Sequence, residues 1–198
     1  MLREDKQFEN SLHKERKLET SVVLAEKSSE EPSIEKIDSP IGVKTLTDEI
    51  GVHNILFNSG EVKYSASSGP IKLTVTHVRL EQLIPATETI KNSVGGRDRS
   101  TIVLLNMEVR NQGEVPVYFR IDDAKIQSDT NEKSSFHPAL SNQFGSTFNA
   151  NEKKQGLVAV DFEADPNDIA VIELNVAPAY DQNYEAFGDA INVKIPMY

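Results

Sequence analysis

The chain has 198 residues, 31 of them acidic and 21 basic, for a formal charge of -10, and 38% are hydrophobic. That length allows one domain plus an extension, and the hydrophobic fraction supplies a real core. The acidic balance repels phosphate backbones, which argues against nucleic acid as a partner. The absence of cysteine excludes a disulfide frame, a thiolate nucleophile and Cys-based metal centres.

Residues 1–40 carry seventeen charges and end in a cluster of Ser28, Ser29, Glu30, Glu31, Pro32 and Ser33. Good helix formers, with Phe8 and Leu12 four residues apart, support a helix from about Arg3 to Lys27. Its apolar stripe is too sparse to demand a buried face, so the segment reads as a charged tether, part helical or disordered. No apolar run reaches the roughly 18 residues of a membrane span, and the first ten residues are too charged for the apolar part of an export signal. The expectation is an intracellular protein or an exported one whose signal has been removed.

Residues 41–60 supply Ile41, Val43, Ile50, Val52, Ile55, Leu56 and Phe57 without a clean period, and read as a transition. The domain proper is expected over 61–198, opening with Val62 and Tyr64 alternating against Glu61 and Lys63. Ile71, Leu73 and Val75 then recur at every second residue, as do Val103, Leu105, Met107 and Val109, the signature of half-buried strands. Between them, residues 92–98 read as a long loop; Gly95-Gly96 lacks the spacing of a phosphate-binding loop. Asn111 to Glu114 reads as a turn in which Asn and Gly accept positive φ. Further strands are expected at 117–121, 124–128, weakly at 143–148, then at 156–163, 170–176 and 190–195. With turns between short strands and no helix except a turn near 180–187, the fold class is all-β, an antiparallel sandwich. Leu73, Val75, Leu105, Met107, Val160 and Phe162 are expected in one core.

The run from Glu61 to Ile195 resembles the immunoglobulin-like (telokin-like) domain of small surface lipoproteins of Gram-positive bacteria, related in shape to an immunoprotective extracellular protein. GPIKLTVTHV, VLLNMEVRNQGEVPVYF, DDAKIQSDTNE and NEKKQGLVAVDFEADP carry the likeness, over about two-thirds of the chain. These are packing and turn motifs, not a catalytic signature. The resemblance implies an exported, lipid-anchored, non-enzymatic domain on the outer face of the cell envelope, its partner a protein or envelope component. It implies contact with a membrane only through a lipid anchor, which this chain has no cysteine to bear. The alternative is an intracellular adaptor that binds a protein through residues 1–40.

His13, His53, His77 and His137 are dispersed and show no metal-ligand spacing. His77 shares the phase of Ile71, Leu73 and Val75, so it is expected at the core edge. No serine sits in a nucleophile elbow, and no acid/base constellation supports an enzyme or a cofactor. Asp161, Glu163 and Asp165 recur every second residue and could hold a cation, but Val158, Val160 and Phe162 take the core phase, leaving the acids as a solvated, metal-free row. Asp122 and Asp123 are expected on opposite faces of a strand. Tyr180, Tyr184 and Phe187 would share one face of a helical turn, which either plugs the open end of the sandwich or meets a partner. The plug is the favoured expectation for the ordering of these rings; if a partner is met, these three residues are the ones to meet it.

Overall fold

The computed structural model describes residues 44–197, so the tether, its helix and His13 lie outside the described residues. In chain order the strands are β1 (Lys44–Thr47), β2 (Gly51–Asn58), β3 (Tyr64–Ser68), β4 (Ile71–Pro85), β5 (Ser100–Asn111), β6 (Val117–Tyr118), β7 (Lys125–Ser128), β8 (Lys133–Ser135), β9 (Thr147–Phe148), β10 (Lys153–Phe162), β11 (Val171–Val176) and β12 (Ile191–Pro196). One short helix, α1 (Glu88–Ser93), and two 3-10 turns, Ile121–Asp123 and Pro166–Asp168, interrupt them.

All pairings are antiparallel. A six-stranded sheet runs β1-β2-β4-β5-β10, with β3 also on β4, and a four-stranded sheet runs β12-β11-β7-β8. A two-stranded ribbon of β6 and β9 lies beside them. The described residues therefore form an all-β sandwich. Its core is built from alternate residues of facing strands: Ile71, Leu73, Val75, Val103, Leu105, Met107, Val158, Val160 and Phe162 meet Ile126, Ile172, Leu174, Ile191 and Ile195. The six residues expected to share a core do so.

Several differences from the sequence reading have clear physical causes. Residues 41–60 are not merely a transition: β1 and β2 form a hairpin whose second strand pairs with the far half of β4, so the main sheet begins before Glu61. The long strand β4 accommodates β3 along Ile71–Val75 and β2 along Arg79–Pro85. A bulge between Val75 and His77 shifts the register, so the core phase resumes at Val78 and Leu80. An extra residue in one strand reverses every side chain beyond it. His77 therefore leaves the core phase, and His53, Ile55, Glu81 and Leu83 turn to the outer face, where they are buried.

Part of that outer face, around Leu83, is covered by α1, which ends inside the stretch 92–98 that reads from sequence as a loop. The Thr87 side chain caps the helix by accepting from the Ile90 amide at 3.3 Å, and Ile90 and Val94 pack with Leu83, Ile102 and Ala159. The turn after β5 also works differently from expectation. Neither Asn111 nor Gly113 has positive φ. Instead the fully buried Asn111 amide donates to the carbonyls of Val115, Phe148 and Asn149 at 2.8, 3.1 and 2.9 Å, and its oxygen accepts from the Gly113 amide. One polar side chain thus satisfies three carbonyls where ladder pairing stops.

Candidate functional site

The site is assembled from two distant stretches. Phe119 takes the core phase and is fully buried, which turns its neighbours Tyr118 and Arg120 outward. After β11 the chain returns beside β6, and Tyr118 and Tyr180 exchange backbone hydrogen bonds, each amide donating to the other's carbonyl at 2.8 Å. The segment then reverses tightly over 181–185. The Asp181 carboxylate accepts from the amides of Asn183 and Glu185 at 2.8 and 2.9 Å, and the Asp181 amide donates to the Glu185 carbonyl at 2.9 Å.

This reversal holds Tyr184 at φ 62°, a left-handed conformation that is uncommon for a bulky residue. Its ring stacks on Tyr118, with centroids 5.3 Å apart and planes 7° from parallel, yet Tyr184 remains 73% exposed. Tyr118, Tyr180, Tyr184, Ala177, Arg120 and Asp123 surround an open cleft of about 300 Å³. Arg120 Nη2 lies 2.5 Å from Asp123 Oδ2, an ion pair exposed on both sides.

The expected helical turn at 180–187 is absent; Tyr180 bridges Ala186 as strand-like backbone instead. The rings do not plug the sandwich either. Tyr184 and Phe187 are exposed, while Val176, Ala179 and Ile191 are the residues nearby that join the core. The physical reason lies in the anchors of the segment: Phe187 N donates to Ala179 O at 2.7 Å, Ala179 N donates to Ser68 Oγ at 2.9 Å, and Gly188 lies against Gly69 so closely that a Cβ would sit 2.3 Å from the Gly69 nitrogen. The segment is thereby tied to the β3–β4 turn, outside the sandwich. Tyr180 and Tyr184 line the cleft, whereas Phe187 stands apart from its lining. Tyr118, Arg120 and Asp123 are the partners that sequence reading missed; the strand alternation around Phe119 was the available signal for the first two.

The other titratable clusters serve the fold. Of the expected solvated row, Glu163 and Asp165 are exposed, whereas Asp161 is partly buried against Arg97. β10 ends at Phe162, Arg97 pairs with both Asp161 and Glu163, and Asp165 caps the following 3-10 turn by accepting from the Asn167 amide at 2.9 Å. Asp122 and Asp123 lie in a 3-10 turn, not a strand; Asp122 accepts from the amides of Phe144 and Gly145 at 3.0 and 2.8 Å. On the outer face of β2 and β4, His53 Nδ1 donates to Glu81 Oε1 at 2.6 Å and Nε2 to Asp48 Oδ1 at 3.1 Å, while Arg79 Nε lies 2.8 Å from Glu81 Oε2. Burial alone would lower the His53 pKa, but Glu81 and then Asp48 outweigh it and raise it. Among the described residues no three His, Asp or Glu side chains converge as a metal site requires, and no helix is long and apolar enough to cross a membrane.

No family model matches the sequence, and no curated protein does. Solved structures resemble it to different degrees. A functionally unknown protein from Listeria monocytogenes EGD-e superposes with a TM-score of 0.57 at 14% identity, over 75% of this chain and 89% of the other. A candidate lipoprotein from Bacillus subtilis subsp. subtilis str. 168 gives 0.46 at 16% identity, over 69% of this chain and 39% of that longer one. A further Bacillus subtilis protein gives 0.44 at 14% identity, over 68% and 96%. At such identity the likeness to the Listeria protein shows a common fold and nothing about activity.

Proposed function

We propose that this domain is a non-enzymatic binding module of the cell envelope, immunoglobulin-like (telokin-like) in family, that engages a protein or other envelope component through the Tyr118, Tyr180 and Tyr184 end, with Phe187 on the same segment. The observation that carries the reading is Tyr184, held in a left-handed conformation and stacked on Tyr118, yet mostly in solvent. Folding alone gives no reason to present a large ring to water on strained backbone, and such strain collects where a surface is used. Exposed aromatic clusters are also what recognition surfaces are built from. The envelope location rests on the resemblance of residues 61–195 to surface lipoproteins, and the non-enzymatic reading on the lack of catalytic spacing in the sequence.

The test compares capture from envelope extract by the wild type and by a Tyr184→Ser variant of unchanged melting temperature. Selective loss of a captured component in the variant is expected, and identical recovery overturns the site. Fractionation of cells expressing the complete gene should place the protein in the envelope; a wholly cytosolic distribution overturns the location.

A further inference from the structure

We infer that the tyrosine cleft takes a neutral saccharide ring, which rests on the binding role proposed above and gives it a ligand class. The volume of about 300 Å³ lies at the small end of ligand pockets, fitting a ring or two and not a folded segment. The polar groups then select among small ligands. Arg120 and Asp123 form a close ion pair at the lining, so the cleft presents a fork of donors beside a pair of acceptors with no net charge. A cationic group entering there finds the Asp123 carboxylate already paired with the Arg120 guanidinium, which it would have to displace. An anion meets the Asp123 carboxylate and a chain of formal charge -10. A purely apolar ligand would strip water from the pair and offer it nothing in return. An uncharged ring bearing neighbouring hydroxyls satisfies both members, accepting from Arg120 and donating to Asp123.

The aromatic half of the cleft fits the same ligand. A tyrosine ring has a negative face, and the axial C–H groups of a sugar present a weakly positive, flat surface to it. Tyr184 is stacked on Tyr118 with its plane already set, and the Asp181 hydrogen bonds fix the backbone beneath it, so little freedom is lost on binding.

The experiment titrates the full chain with N-acetylglucosamine tetrasaccharide and, in parallel, with cellotetraose. The chain has no tryptophan and five tyrosines, three of which line the cleft, so tyrosine fluorescence reads the site directly. A saturable change with at least one saccharide is expected, with amide NMR shifts centred on Tyr118, Tyr180 and Tyr184. Asp123→Asn and Tyr184→Ala, at unchanged melting temperature, should each weaken it about tenfold or more, the loss of one good contact. Tetralysine and inorganic phosphate should leave the signals flat. Flat saccharide titrations up to about 10 mM, or shifts at these tyrosines from tetralysine or phosphate alone, overturn the inference. If that happens while envelope capture still depends on Tyr184, the saccharide falls and the binding module stands; if capture loses its Tyr184 dependence, the module itself falls.

Discussion

Replacing His53 by alanine tests how the N-terminal hairpin is fastened to the sheet. His53 is 7% exposed and Glu81 1% exposed, and the bond between them is 2.6 Å long. Removing one partner of a buried ion pair typically costs about 3 to 5 kcal/mol, because the other charge is left in low dielectric. Here Arg79 stays beside Glu81, so part of the compensation survives. Losing one charged hydrogen bond, about 1.5 to 3 kcal/mol, sets the lower bound, and the expected loss is about 2 to 3 kcal/mol. A His53→Leu plus Glu81→Leu double variant, packed beside Ile55 and Leu83, should recover to within about 1 kcal/mol of wild type, since both buried charges leave together while Arg79 and Asp48, 27% and 43% exposed, keep access to water. The sign of the pH dependence follows from the raised His53 pKa. The native state keeps a proton that the unfolded state releases, so the stabilisation is complete below about pH 6.5 and is lost as pH rises through the folded pKa. Urea denaturation of wild type and both variants between about pH 6 and pH 9 checks this directly. Wild type should lose stability across that interval while His53→Ala stays flat. Equal pH slopes in wild type and His53→Ala, or a single variant as stable as wild type, would refute the reasoning.

Three further outcomes are expected. Phe162→Ala and Leu105→Ala, both fully buried in the central core, should lower stability by about 3 to 5 and 2 to 5 kcal/mol in urea titrations, and losses below half a kcal/mol would mean the core is wrongly placed. Gly188→Ala should cost about 1 to 3 kcal/mol and speed hydrogen exchange at the Ala179 amide, since its Cβ meets Gly69 backbone that cannot retreat as a flexible side chain would; a neutral effect would show that the segment is not pinned there. Tyr184→Asn should change stability by less than about 1 kcal/mol, because Asn tolerates the left-handed conformation while the stacking on Tyr118 is lost, yet it should abolish Tyr184-dependent capture; a large thermal destabilisation would mean that the ring serves folding.

Alternation by itself was enough to determine the sandwich and its core. Ile71, Leu73, Val75, Leu105, Met107, Val160 and Phe162 sit where a period of two puts them, because a strand has only two faces and burial chooses one. The same logic could not see past the Val75/His77 bulge, whose single extra residue leaves no compositional mark and yet reverses His77 and everything after it. Nor could it place β1 and β2, since Val52, His53, Asn54 and Ile55 mix polar and apolar residues on both faces, and His53 is buried only because Glu81 and Asp48 arrive to receive its protons. For the candidate site, sequence spacing picked out Tyr180, Tyr184 and Phe187 but gave them a helical face and a place in the core. Long-range contacts decided otherwise: a backbone bridge from Tyr180 to Tyr118, and the close approach of Gly188 to Gly69, hold the segment outside the sandwich. Local pattern reports which face a residue prefers, whereas which distant residue it meets depends on loop closure and register summed over the whole chain, so the Arg120–Asp123 pair is local, three residues apart, but the cleft that sets it beside Tyr180 and Tyr184 exists only in the tertiary structure.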